Sequence, residues 1–207
     1  MAEEDKIADK KEDRKGERNG DKNADKNAEK NASLWISGLS LGVTYATLLR
    51  GIRKVGRVKQ THINGPNVRN PDTCAAKITF FTHEAAQKLL DQAEKGEFLV
   101  DGIAPRVVWN KHARAEEPVK GRSRVLRIRG PPEIVNRAYL EWFWAQNFYW
   151  DTDRVSDCGF TLDDGMYIIW YYFASWGGQA STARDLLLKS FGNLVEVTYG
   201  RDTCGGG

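Results

Sequence analysis

The feature that most constrains this chain is that its pattern occurs twice. A short strand-like hexamer, Leu34-Trp35-Ile36-Ser37-Gly38-Leu39, is followed by a helical stripe and a second strand-like run ending at Phe80. Val125-Leu126-Arg127-Ile128-Arg129-Gly130 opens a similar succession in the second half. Leu34 to Phe80 spans 46 positions and Leu126 to Phe173 spans 47. A chain of 207 residues is long enough for two small domains, and the constant interval reads as a repeat of one supersecondary unit.

Period-two alternation predicts a first strand over Leu34 to Gly38, with Leu34 and Ile36 facing one way and Trp35 and Ser37 the other. A helix is expected from about Thr44 to Val55 on the stripe Tyr45, Leu48, Leu49 and Ile52, with Gly51 a mild weakness. Strands are expected over Arg57 to Asn64 and Cys74 to Phe81. Thr82 is placed to cap a helix over Glu84 to Glu94, and a strand pair over Phe98 to Val100 and Pro105 to Trp109 follows around Asp101-Gly102. The order is β-α-β-β-α-β, a ferredoxin-like α+β arrangement. The second copy reads as strand Val125 to Gly130, a helix from Pro132 to about Gln146 presenting Val135, Tyr139, Trp142 and Phe143 on one face, strands Tyr149 to Asp153 or beyond and Met166 to Phe173, helix Ser181 to Ser190 and strand Asn193 to Tyr199.

Charge separates the ends from these modules. Residues 1–31 are almost all charged or small polar, with near-repeats such as Asp21-Lys22-Asn23-Ala24 and Asp25-Lys26-Asn27-Ala28. Such a segment carries too little apolar surface to offset the entropy of ordering, so it reads as a disordered polyampholyte tail. Of the chain's 31 basic and 28 acidic side chains, nine and ten fall in residues 1–33, which leaves the remainder 22 to 18 in favour of bases. That modest excess permits a polyanionic partner without requiring one. The expected organisation is the tail, module 1 over 32–114, a polar linker over 115–122, module 2 over 123–201 and a flexible end over 202–207. No run of eighteen or more apolar residues is present, so no membrane association is expected. Cys74, Cys158 and Cys204 are dispersed and odd in number, which argues for a reducing nuclear or cytoplasmic setting and against a disulfide framework or a Cys-x-x-Cys metal site.

At the two hexamers and the strands that follow them, the chain resembles the RNA-recognition-motif (RRM) family in two divergent tandem copies. The resemblance implies single-stranded RNA bound on the open face of each four-stranded sheet, where aromatic rings stack on unpaired bases. Carried over by position, Trp35 occupies the stacking site of the first hexamer and Gly38 replaces the usual Asn. In the octamer-like stretch Thr73 to Phe80, Ala76, Ile78 and Phe80 take the core positions, while Ala75 and Lys77 stand where stacking rings are usual. Val108 and Lys111 are expected along the last strand, near the RNA backbone. In module 2, Arg127 and Arg129 share the open face with Trp170 and Tyr172, a basic and aromatic surface suited to bases and phosphates. Alternative roles for these side chains are ion pairs from Arg127 and Arg129 to Asp163 or Asp164, and burial of Trp170 and Tyr172 by a protein partner.

Motifs for chemistry are incomplete. His83-Glu84 begins like a zinc-protease signature, but Gln87 stands where the second His belongs. Asp151, Asp153 and Asp157 suggest a calcium loop, yet Val155, Ser156 and Leu162 occupy positions that need an oxygen ligand, Gly and Glu. No phosphate-cradling Gly-Lys-Ser/Thr sequence occurs. The expectation is a non-enzymatic RNA-binding protein with no cofactor and no metal, its partner single-stranded RNA; the alternative is a protein-interaction or self-associating scaffold, joined through the aromatic face of module 2, that keeps the fold without RNA.

Overall fold

A computed structural model describes residues 31–159 and 163–205, so the tail expected over 1–31 lies outside the described residues apart from Asn31. Module 1 runs β1 (Ser33–Leu39), α1 (Tyr45–Gly51), β2 (Val58–Asn64), β3 (Cys74–Phe80), α2 (His83–Glu94) and β4 (Arg106–Trp109). Module 2 runs β5 (Val125–Gly130), α3 (Arg137–Ala145), β6 (Thr152–Asp157), β7 (Tyr167–Phe173), a wide turn over Trp176–Ala180, α4 (Ser181–Phe191) and β8 (Glu196–Tyr199). The sheets have the orders β2-β3-β1-β4 and β6-β7-β5-β8 with antiparallel neighbours throughout, so the expected ferredoxin-like arrangement is present in both halves.

Alternation along each central strand builds the two cores. Leu34, Ile36, Ala76, Ile78 and Phe80 are completely buried and meet Leu48 and Leu49 of α1 and Ala86 and Leu89 of α2. In module 2, Leu126, Ile128, Ile169, Tyr171 and Phe173 pack against Leu140 and Trp144 of α3 and Ala183 and Leu187 of α4. The Trp144 and Tyr171 rings meet edge to face, their centroids 4.8 Å apart. Burial pushes the Tyr171 phenol up to about 12, and its hydroxyl is held by Glu141, Thr152 and Trp150.

Several local expectations are corrected. Helix α1 stops at Gly51 instead of continuing to Val55, because Ile52 leaves the helix with extended backbone. Gly51 is no weakness: a Cβ there would stand 2.4 Å from the Leu99 carbonyl oxygen, so its absence lets α1 lie against that segment. Helix α3 opens at Arg137, five residues after Pro132, where the Asn136 side chain accepts from the Tyr139 N–H. Its inner face is Leu140 and Trp144, while Trp142, expected inside, is 59% exposed. Strand β6 begins at Thr152, three residues later than expected. The pairing around Asp101-Gly102 is reduced to a single bridge between Val100 and Ile103, so residues 98–100 are no strand.

The two modules are fastened together. After β8 the chain crosses to module 1, where Asp202 accepts from the Val58 N–H and the Cys204 carbonyl accepts from the N–H groups of Val55 and Gly56. Cys204 is fully buried among module 1 core residues. Residues 202–205, expected as part of a flexible end, are thus an anchor: a turn closed by the Gly205 N–H on the Asp202 carbonyl buries Asp202 and Cys204 and leaves Arg201 and Thr203 exposed. Behind them Arg124 is completely buried, donating to Asp202 (3.0 Å), Asp153 (2.9 Å) and the Phe173 carbonyl (2.8 Å). Burial disfavours its charge, but Asp202, Cys204 and Asp153 outweigh that, so the guanidinium is held protonated.

The linker and the wide turn complete the junction. Arg122 lies over the rings of Phe81 and Trp176, 5.0 and 4.5 Å from their centroids, so one guanidinium bridges a ring from each module. Glu117 pairs with Lys59 and Arg122, and those cations, the Lys59 hydrogen bond foremost, hold its carboxyl below the ordinary carboxylate value. Ser175 Oγ accepts from the Thr61 N–H (2.9 Å) and donates to the Thr61 carbonyl (3.2 Å). An edge strand's unpaired backbone groups are thereby occupied by the neighbouring module.

Candidate nucleic-acid interface

Register places the module 1 residues in one line. Lys77 pairs with Trp35 on one side and His62 on the other, and Trp35 pairs with Val108, so His62, Lys77, Trp35 and Val108 form a row across β2, β3, β1 and β4. Facing residues in adjacent strands project to the same side, and the aliphatic neighbours of this row are buried on the other. His62 is exposed and the other three are half-buried. The adjacent row, Asn64, Ala75, Ser37 and Arg106, carries no ring, and Gly38 follows it at φ +79°, where β1 bulges between Ser37 and Leu39. A side chain at that left-handed position is strained, which accounts for glycine there.

The opposite end of the face is closed by polar groups. Ser33, Thr79 and Asn110 are buried and joined through Ser33 Oγ, which accepts from Thr79 Oγ1 (3.1 Å) and Asn110 Nδ2 (3.2 Å) and donates to the Ile78 carbonyl. Asn31 donates to the Asn110 carbonyl and accepts from the N–H groups of Ser33 and Arg114. This network ties the chain after β4, the Arg114 backbone included, back across the start of β1. Burial, with Arg114 as a second cause, lowers the Lys77 ammonium from its ordinary value. Lys111 lies past the end of β4 and outside the row, because Asn110 Oδ1 accepts from the His112 N–H and turns the chain there.

On the module 2 face the expected parity of β7 holds: Trp170 pairs with Arg127 and Tyr172 with Val125, opposite the buried Ile169, Tyr171 and Phe173. The structure brings Arg127, Arg129, Trp170 and Tyr172 to one face but occupies much of their chemistry. Arg127 pairs with Glu196 at 3.4 Å, and Arg129 pairs with Asp164, one of the two acids the sequence suggested. Arg154 from β6 lies over the Tyr172 ring, 4.0 Å from its centroid. Trp170 stays half-buried.

Sequence reasoning missed His62, Arg114 and Arg154. His62 was legible in principle, since Thr61 inward implies His62 outward on β2. Arg154 lies just past Asp153, the last residue named for β6, and the Arg114 backbone is held by Asn31, 83 positions away in the chain. Among the described residues no group of three or more His, Cys, Asp or Glu side chains is placed to hold a metal ion, and no helix is long and apolar enough to cross a membrane.

No protein-family model and no curated protein matches this chain. Solved structures do. A complex of the Sxl-lethal protein with RNA is 14% identical, with 82% of this chain and 99% of that one covered at a TM-score of 0.33. The first two RRM domains of the yeast poly(U)-binding protein Pub1 are 12% identical, covering 82% and 99% at 0.33. Sex-lethal RNA recognition domains 1 and 2 from Drosophila melanogaster are 13% identical, covering 82% and 100% at 0.32. Strand order and connectivity, independently of these likenesses, make this chain a tandem pair of ferredoxin-like β-α-β-β-α-β modules.

Proposed function

We propose that this protein binds single-stranded RNA, with the sheet face of module 1 as its principal surface and that of module 2 as a second. The observation that carries this reading is the row His62, Lys77, Trp35 and Val108 across the four strands of the sheet. A partly exposed indole with a lysine as its cross-strand neighbour offers a base a stacking partner and its phosphate a counter-charge. Neither Lys77 nor Arg114 is ion-paired among the described residues, in contrast to Arg127 and Arg129. Cys74 and Cys204 are buried free thiols, which fits a reducing nuclear or cytoplasmic compartment.

Fluorescence anisotropy with a labelled random-sequence RNA tests this at two salt concentrations. Trp35→Ala is expected to weaken binding about 5- to 150-fold, the equivalent of about 1–3 kcal/mol for one stacked base. No binding by wild type at low salt would sink the reading. A second reading, association with protein through module 2, is favoured by the internal pairing of Arg127 and Arg129, which lowers the free charge around Trp170. It expects self-association or partner capture that Trp170→Ala abolishes while RNA has no effect, and sedimentation at several concentrations separates the two.

A further inference from the structure

Away from the sheet face of module 1, the junction of the two modules opens a cleft of about 580 Å³ into which Arg50, Arg53, Lys54, Arg154 and Arg201 converge. These five come from three parts of the chain: α1 and the turn after it, β6, and the segment following β8. All five are exposed, and none is ion-paired among the described residues. Glu97 and Asp101 line a separate pocket that shares Arg50 and Arg53, while Asp153 and Asp202, next in sequence to Arg154 and Arg201, are taken up by Arg124.

The cleft is constructed by the clamp. Burial of Asp202 and Cys204 is what presents Arg201 and Thr203 to it, and the Cys204 carbonyl holds the turn that carries Lys54. Lys54 itself sits at φ +55°, a left-handed conformation unusual for a lysine, and such strain persists where the surrounding structure enforces it. Gathering five like charges is electrostatically unfavourable in the free protein and attracts a polyanion. Arg154 joins the cleft to the module 2 face, since its guanidinium lies on Tyr172.

We propose that this cleft binds the phosphodiester backbone of an RNA strand that continues from the module 2 face, so that contact extends past the sheets onto the α1 side of module 1. The proposal rests on the RNA-binding reading above. Its chemistry is that of phosphate: arginines suit bidentate contact with phosphate oxygens, and the cleft's cations lack the rings that would read bases.

The test compares wild type with Arg53→Gln/Lys54→Gln/Arg201→Gln, titrating the full chain with a 24-nucleotide random single-stranded RNA across a salt series. Each lost phosphate contact lowers the slope of log affinity against log salt by about 0.7, so the triple variant is expected to be shallower by about 2 and at least tenfold weaker at low salt. Unchanged affinity and slope, with wild type binding RNA, overturns the cleft and leaves the sheet-face reading standing. Wild type that binds no RNA overturns both. Poly-glutamate that binds wild type as tightly as RNA does, and is lost in the triple variant, overturns the proposal in favour of an acidic protein partner. Should the triple variant fail to fold, Arg53→Gln and Lys54→Gln singly are each expected to lower the slope by about 0.7, and an unchanged slope in both overturns it.

Discussion

Arg124 binds carboxylates from two separate segments and a backbone carbonyl, all in the dry junction between modules. Its two partners, Asp153 and Asp202, are 7% and 0% exposed, so removing the guanidinium strands charge where water does not reach. Arg124→Met is therefore expected to destabilise the protein by about 3–5 kcal/mol, measured by urea unfolding. Replacing the acids as well, in Arg124→Met/Asp153→Asn/Asp202→Asn, is expected to recover part of that loss. A loss below 1 kcal/mol in the single variant would show the cluster to be solvated. Nothing local in the sequence marks this residue: Arg124 precedes a strand, where an arginine ordinarily faces solvent.

Among the elements, β2 shows how an edge is managed. One hydroxyl, Ser175 Oγ, meets both the N–H and the carbonyl of Thr61, so the edge of module 1 is closed by the chain just past β7. Ser175→Ala leaves a buried N–H and a carbonyl unpaired and is expected to cost about 1–3 kcal/mol in chemical unfolding. Protection of the Thr61 amide from hydrogen exchange should fall with it, and retained protection would mean that water replaces the hydroxyl. The strand faces were legible from alternation, because period two is a property of the extended chain itself. The helix starts were less so: Pro132 is a plausible first-turn residue, yet the helix waits for the Asn136 cap.

For the molecule as a whole, the clamp makes the stability of one module depend on the end of the other. Burial pushes the Cys204 thiol up to about 12 from an ordinary 9.0, with Asp202 the next cause. A thiol whose folded value is raised contributes stability that is fully present below the unfolded value and is lost as pH rises through the folded one. Thermal unfolding followed between pH 8 and 11 should therefore show a decline beginning near pH 9, carried by both modules together, and Cys204→Ala should flatten it. Iodoacetamide should reach Cys158, which is half-buried, before Cys204. Two separate transitions with only one pH-dependent would show that the modules unfold independently.

The sequence alone determined the repeat, the β-α-β-β-α-β order and which side of each central strand is core, since these follow from hydrophobic period and interval. It also put Trp35, Lys77 and Val108 on one face, because that follows from alternation once the strands pair. Only the tertiary structure decided that Arg127 and Arg129 are matched by acids, that Asn31 ties the Arg114 backbone across the start of β1, and that residues 202–205 are an anchor and not a loose end. The reason is physical: alternation is written into neighbouring residues, whereas ion pairs and inter-module contacts join groups far apart in the chain, as where the Cys204 thiol donates to the Leu49 carbonyl 155 positions away, and exist only after the chain has closed on itself.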